Sequence, residues 1–205
     1  MLRKIVLFST ILSFCILEGK SKFLLLMGPS GVGKSTIIRH LKEMDNRFEY
    51  VTPFTTRALR EGEADKIHVE LQEIKNLENA GKLLTVNQIY GIYYATPKYL
   101  IDESLECDCF PVLDWPVDKI QIMQNNYVDC LFRVYIEPEN RDILKEQLSN
   151  DSRDKDGKRL SAGLEELEKL DAGDFENCYD MRIINRSGDS KKITEEIYRQ
   201  FILAL

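Results

Sequence analysis

The run from Phe23 to Thr36, FLLLMGPSGVGKST, constrains this chain more than any other stretch. Phe23 to Met27 are all apolar and read as a strand buried on both faces. Beyond the glycines, Ile37, Ile38, Leu41 and Met44 recur at the spacing of one helix face. Between them lies the complete pattern G-x-x-x-x-G-K-[ST], in the strand–turn–helix setting its chemistry requires. Such a unit turns the amides of its loop inward around a phosphate. Side chains at Gly28, Gly31 and Gly33 would obstruct that hollow, and the helix start adds its positive end. Gly28, Pro29, Ser30, Gly31, Val32, Gly33, Lys34, Ser35 and Thr36 are therefore the expected ATP-phosphate site. Lys34 can reach the β- and γ-phosphates, and the Ser35 hydroxyl can hold Mg2+.

The rest of the chain keeps this rhythm of short apolar runs and amphipathic stretches. Strands are expected at 23–27, 49–51, 83–86, 109–113, 130–136 and 181–184. Helices are expected at 35–44, 72–80, 97–106, 117–125, 139–148, 160–170 and 191–205, with Pro97 in a first turn. That alternation implies an α/β fold, a P-loop NTPase-type parallel sheet flanked by helices. Residues 150–157, NDSRDKDG, fit either a surface loop or a mobile lid over the nucleotide. The acidic stretch 164–170 reads as a solvated helix face. A length of 205 residues suits one domain with small insertions.

Charge and cysteine usage close off other classes. A net charge of −6, a pI near 5.2 and scattered Lys and Arg exclude a basic nucleic-acid footprint. Cys15, Cys107, Cys109, Cys130 and Cys178 form no C-x-x-C pair, and the two histidines, His40 and His68, are far apart. No zinc site is expected, and the thiols read as reduced and mostly buried. Arg3 and Lys4 precede an apolar run, 5–17, that imitates a signal peptide. It is short for a bilayer, and no small-residue cleavage site follows. Because a P-loop enzyme needs ATP, the expectation is a cytoplasmic protein off the membrane, with residues 1–22 as an apolar extension of open role.

A second motif lies at residues 55–63, TTRALREGE. Arg57 and Arg60, followed by Gly62 and Glu63, suit a turn that grips an anion, since a guanidinium pairs bidentately with phosphate oxygens. Taken alone, two arginines fit solvated surface charge equally well. Read after GPSGVGKS, the segment resembles the guanylate kinase family, and the resemblance runs from Phe23 to the C-terminus. Gly91-Ile92-Tyr93-Tyr94 is similar to that family's G-N-Y-Y, residues 158–162 (KRLSA) to the segment after its lid, and residues 181–185 (MRIIN) to its last strand.

The resemblance implies a P-loop core over 23–205, with an acceptor-binding insert near 54–96 and a lid near 146–159. It implies ATP and a small phosphorylated acceptor, GMP foremost, as partners, with Mg2+, and leaves the oligomeric state open. Lys34 and Arg159 would act on the transferring phosphoryl group. Asn185 would lie near the adenine. Arg57, Arg60 and Tyr94 would hold the acceptor's phosphate with Glu63 beside them. Asp114, at the end of an apolar run, would join Ser35 near Mg2+.

Departures from the family pattern cluster on the acceptor side. The guanine-reading glutamate falls on Thr85, a base-touching serine on Pro53, and a phosphate-binding tyrosine on Val69. One carboxylate, Asp114, stands where the family has two. The lid's usual R-L-x-x-R-G becomes QLSND at 147–151, with Arg153 nearby to compensate as a catalytic arginine. Three readings follow: a nucleoside monophosphate kinase, a kinase of a non-nucleotide acceptor such as ribose 1,5-bisphosphate, or a binding module of weakened catalysis. Asn87, Gln88 or His68 turned into the base site would favour a nucleotide.

Overall fold

The computed structural model describes residues 22–205 except 60, 64, 90, 150–156 and 187. Arg60, Arg153, most of the expected lid and nearly all of the apolar extension lie outside the described residues. In chain order the elements are β1 (Phe23–Met27), α1 (Lys34–Met44), β2 (Phe48–Tyr50), β3 (Phe54–Thr55), β4 (Ile67–His68), α2 (Leu71–Asn79), β5 (Leu83–Ile89) and β6 (Ile92–Pro97). There follow α3 (Lys98–Glu106), β7 (Phe110–Asp114), α4 (Ile120–Tyr127), β8 (Leu131–Pro138), α5 (Arg141–Ser149), α6 (Lys158–Asp171), β9 (Met181–Asn185) and α7 (Ser190–Leu203).

Five strands form one parallel sheet in the order β2-β7-β1-β8-β9, with β1 central. All five residues of β1 are fully buried, which is why the run is apolar throughout rather than alternating. Phe23, Leu25 and Met27 pack with Ile101, Met123, Leu144 and Leu167 of α3, α4, α5 and α6. Leu24 and Leu26 pack on the other face with Ile37 and Leu41 of α1 and Ile197 and Phe201 of α7. Each such side chain contributes about 1.5–3 kcal/mol of burial. Phe201 also stacks edge-on against Phe110, with ring centroids 5.2 Å apart, fastening α7 to β7.

A second sheet, in the order β4-β3-β6-β5, comes from residues 54–97. One face buries Phe54 and Ala95 against Val69, just past β4, and Ile74 of α2, with Val86 and Tyr93 at its margin. Strand pairing of Thr55 with His68 and Tyr94, and of Tyr94 with Asn87, puts those four side chains in one row on the opposite, polar face. Thr85, opposite Thr96, lies on the same face.

Several local expectations need correction. Tyr93 and Tyr94 belong to a strand, β6, that pairs with β5 through a turn at Gly91, whose φ is +79°. Pro97 ends β6 and caps α3 rather than sitting in its first turn. The expected helix at 117–125 opens as a tight turn, Val117–Lys119, before α4. Met44 is 44% exposed, so the apolar face of α1 ends at Leu41. Cys107 is exposed, and Cys109, Cys130 and Cys178 are half-buried, so these thiols are not core residues. Among the described residues no helix is long and apolar enough to cross a membrane.

Candidate active site

The glycine loop joins β1 to α1 at the carboxyl edge of the parallel sheet. Gly28, Gly31 and Gly33 take φ values of +125°, +88° and +99°, which side chains resist. A Cβ on Gly28 would come within 2.1 Å of the Ile136 carbonyl oxygen, and one on Gly33 within 2.6 Å of Asn185 Nδ2. Close packing by β8 and β9 is thus a second reason for glycine, beside the hollow itself. Lys34 folds back over the loop, donating to the carbonyls of Gly28 at 2.6 Å and Pro29 at 2.9 Å. Burial lowers its pKa; Asp114 and Glu166 oppose that shift, and Arg159 adds to it.

Three clefts meet at this loop. The first, about 260 Å3, is lined by Gly28, Ser30, Lys34, Asp114, Arg159 and Glu166. Arg159, Gly163 and Glu166 recur on α6 at positions that share one helix face. Gly163 lets that helix come close, since a Cβ there would sit 3.2 Å from Pro29 Cβ. Arg159 Nη2 donates to Ser30 Oγ. Glu166 accepts a 2.8 Å bond from the Tyr135 hydroxyl; burial raises its pKa, against the pull of that bond and of Lys34. Asp114 Oδ1 accepts from the Tyr50 hydroxyl at 2.8 Å. Two cations thus face two carboxylates where an anion would lie.

The second cleft, about 250 Å3, is lined by Gly31, Gly33, Thr36, Ile143, Gln147 and Asn185. Asn185 Nδ2 donates to the Val32 carbonyl at 2.8 Å, which fixes the amide's orientation. Its Oδ1 is buried and has no hydrogen-bond partner among the described residues. The third and largest, about 840 Å3, runs from Ser35, Thr36 and Tyr50 across to Glu61, Gly62 and Glu63. On its far side Arg57 donates from both terminal nitrogens to the Glu63 carboxylate, and also to the Ala58 carbonyl at 2.9 Å. Glu63, foremost, and then a hydrogen bond with Tyr94 raise the guanidinium pKa against burial.

The expected residues therefore fall into recognisable groups. Lys34, Arg159 and Asp114 share one cleft, Asn185 abuts the loop at Val32 and Gly33, and Arg57, Glu63 and Tyr94 form one cluster. Thr85 is on the polar face of the second sheet, donating to Thr96 Oγ1 at 3.1 Å, and does not join that cluster. Among the three alternatives for the base site, Asn87 shares the face of Tyr94 and Gln88 takes the opposite one. His68 is on the polar row, with Nδ1 2.9 Å from the Arg57 carbonyl oxygen. Sequence reasoning missed Glu166 and Tyr50. The first was legible as two helical turns from Arg159; the second depended on β2 and β7 being neighbours, which sets Tyr50 beside Val112. The stretch 164–170 is accordingly not a wholly solvated face, because Glu166 turns inward.

Comparison with known proteins places the chain in a family. The guanylate kinase family model matches residues 20–198. A guanylate kinase of Helicobacter pylori is 32% identical over 158 residues, covering 74% of this chain and 76% of that protein. One from a Jannaschia species is 28% identical over 196 residues, 92% of this chain and 85% of its own length. In fold, the crystal structure of guanylate kinase from Anaplasma phagocytophilum is similar with a TM-score of 0.65, at 18% identity, over 91% of this chain and 87% of that one. With a family match over residues 20–198, nearly all of those described, this chain belongs to the guanylate kinase family.

Proposed function

We propose that the protein transfers the γ-phosphoryl group of ATP to the 5′-phosphate of GMP, forming ADP and GDP. The observation that carries this reading is the largest cleft, which has the P-loop residues Ser35 and Thr36 on one wall and Glu63, the partner of Arg57, on the other. Donor and acceptor phosphates bound on those two walls would face each other for an in-line transfer. An acceptor phosphate oxygen bonds to the γ-phosphorus as the bond to the β,γ-bridging oxygen breaks, and ADP leaves with that oxygen.

Positioning and charge supply most of the catalysis in such transfers. Lys34 would leave the carbonyls of Gly28 and Pro29 for the β- and γ-phosphates. Arg159, already beside Ser30 of the loop, would offset charge on the moving group. Arg57, oriented by Glu63 and with Tyr94 beside it, would fix the acceptor. The loop fits a nucleoside triphosphate because its three glycines hold positive-φ turns that leave the hollow free of side chains, where a Cβ would strike β8 at Gly28, α5 at Gly31 and β9 at Gly33. Ser35 and Asp114 fit Mg2+, which commonly keeps waters and phosphate oxygens as its other ligands. When bound, Mg2+ supplies positive charge to the β- and γ-phosphate oxygens. Dependence on ATP favours the cytoplasm as the place of action.

The test is ADP release from Mg-ATP with GMP, dGMP, AMP, UMP, CMP or ribose 1,5-bisphosphate. GMP is expected to lead the panel, and Lys34→Ala to abolish turnover. Preference for the bisphosphate would overturn the choice of acceptor, and no turnover with any acceptor would overturn the kinase reading.

A further inference from the structure

We infer that the pair Asn87–Lys119 reads the acceptor's base, admitting 6-oxopurine nucleoside monophosphates while separating guanine only weakly from hypoxanthine. This inference rests on the acceptor being a nucleoside monophosphate.

Asn87 is opposite Tyr94, so it shares the polar face with the residue that bonds Arg57. Lys119 ends the tight turn that leaves the core sheet just beyond Asp114. Its ammonium donates to Asn87 Oδ1 at 3.0 Å, bridging the second sheet to the carboxyl edge of the first. The backbone there is pinned by Trp115, whose indole N–H donates to the Lys119 carbonyl at 3.0 Å. The pair therefore links the face that carries Tyr94 to the turn just beyond Asp114 of β7. A base attached to a phosphate held by Arg57 would lie against this polar face.

The chemistry of the pair selects its ligand. An ammonium only donates, with three hydrogens. One can stay on Asn87 while another meets the O6 or N7 acceptors of a 6-oxopurine. Adenine presents an amino group at the same edge, which opposes a second donor. Asn87 has one carbonyl oxygen, able to accept from N1–H, a group shared by guanine and hypoxanthine. A carboxylate at this place would offer two oxygens, one for N1–H and one for the guanine 2-amino group. The Thr85 hydroxyl hydrogen is already committed to Thr96. Recognition at the 6-position is thus retained, while recognition at the 2-position is weakened.

The experiment compares GMP, IMP and AMP by kcat/KM and by titration calorimetry, in the wild type, Lys119→Met, Asn87→Leu, Asn87→Asp and a control on the opposite face, Gln88→Leu. In the wild type, IMP should come within about tenfold of GMP, and AMP should be about 100-fold or more poorer. Lys119→Met should bring GMP and AMP within about tenfold of each other, with KM for ATP unchanged. Asn87→Leu should weaken GMP and IMP alike, and Gln88→Leu should change nothing. Asn87→Asp adds the second acceptor oxygen and should widen the ratio of GMP to IMP, a gain that misfolding cannot imitate. A wild-type GMP to IMP ratio near 1,000 or above, or wild-type ratios in both Lys119→Met and Asn87→Leu, would overturn the inference. Calorimetry separates it from the kinase reading: GMP binding with these ratios but no ADP release would support it and sink the kinase. A folded protein that binds none of the three nucleotides would overturn it together with the choice of GMP.

Discussion

Gly28→Ala tests the link between fold and site most directly. The added methyl would lie 2.1 Å from the Ile136 carbonyl oxygen, so about 1 Å of separation must come from backbone. Neither side yields easily. Ile136 is paired to Ile183 in the parallel ladder, and Met27, next to Gly28, is paired to Tyr135. Glycine's φ of +125° is also a region that alanine enters at about 1–3 kcal/mol. Overpacking of this kind adds about 1–3 kcal/mol more. The sum, near 4 kcal/mol, is a large part of the roughly 5–15 kcal/mol that holds a domain folded. Gly81→Ala provides the comparison: its φ is +66° and nothing lies within 4 Å of the built Cβ. That change should cost only about 1 kcal/mol of backbone strain. Equilibrium unfolding in urea measures both variants, with equal m values required for the comparison. If Gly28→Ala falls within about 1 kcal/mol of Gly81→Ala, contact with β8 is not what demands glycine, and the packing argument fails.

Three further outcomes are expected. Asn185→Ala removes the unpartnered buried Oδ1 that would accept from the 6-amino group of adenine, so KM should rise for ATP and not for GTP in steady-state assays; equal rises would remove Asn185 from base selection. Glu63→Ala frees the Arg57 fork, and KM for GMP should rise about tenfold with KM for ATP within twofold. A fall in the GMP KM would mean that Glu63 competes with the phosphate instead of orienting its ligand. Asp45→Asn concerns stability: hydrogen bonds from Arg47, foremost, and from Tyr198 hold the Asp45 pKa below its ordinary 3.8. A depressed carboxylate stabilises the fold above 3.8 and loses that contribution as pH falls through the lower folded value. The thermal midpoint of the variant should therefore trail the wild type at pH 7 and converge with it in strong acid, whereas a gap independent of pH would refute the ion-pair account.

Much of this protein is written locally. The run from Phe23 to Thr36 specifies strand, loop and helix by itself, because apolar periodicity and glycine freedom act between residues close in sequence. The order of motifs likewise placed Lys34, Arg159, Asp114 and Asn185 around one loop before any contact was visible. Residues 91–97 were harder. The alternation of β6 is legible only when its two faces are known, one apolar against α2 and the other the polar face of the second sheet.

Contacts between distant segments were not determined by sequence pattern. Nothing in Tyr50 announces that β2 lies beside β7, and so beneath Asp114. Nothing in the acidic stretch 164–170 singles out Glu166 until α6 is laid on the loop at Gly163. The choice of Asn87 over Gln88 follows from strand register, since a shift by one residue exchanges the faces of a strand. Its partnership with Lys119 joins a strand of the second sheet to the turn that follows β7 of the first. The chain's local chemistry decided that it grips phosphate, because a P-loop is made by neighbours. What surrounds that loop was decided by packing, because Tyr50, Glu166 and the Arg57–Glu63–Tyr94 cluster come from segments that only the tertiary fold brings together.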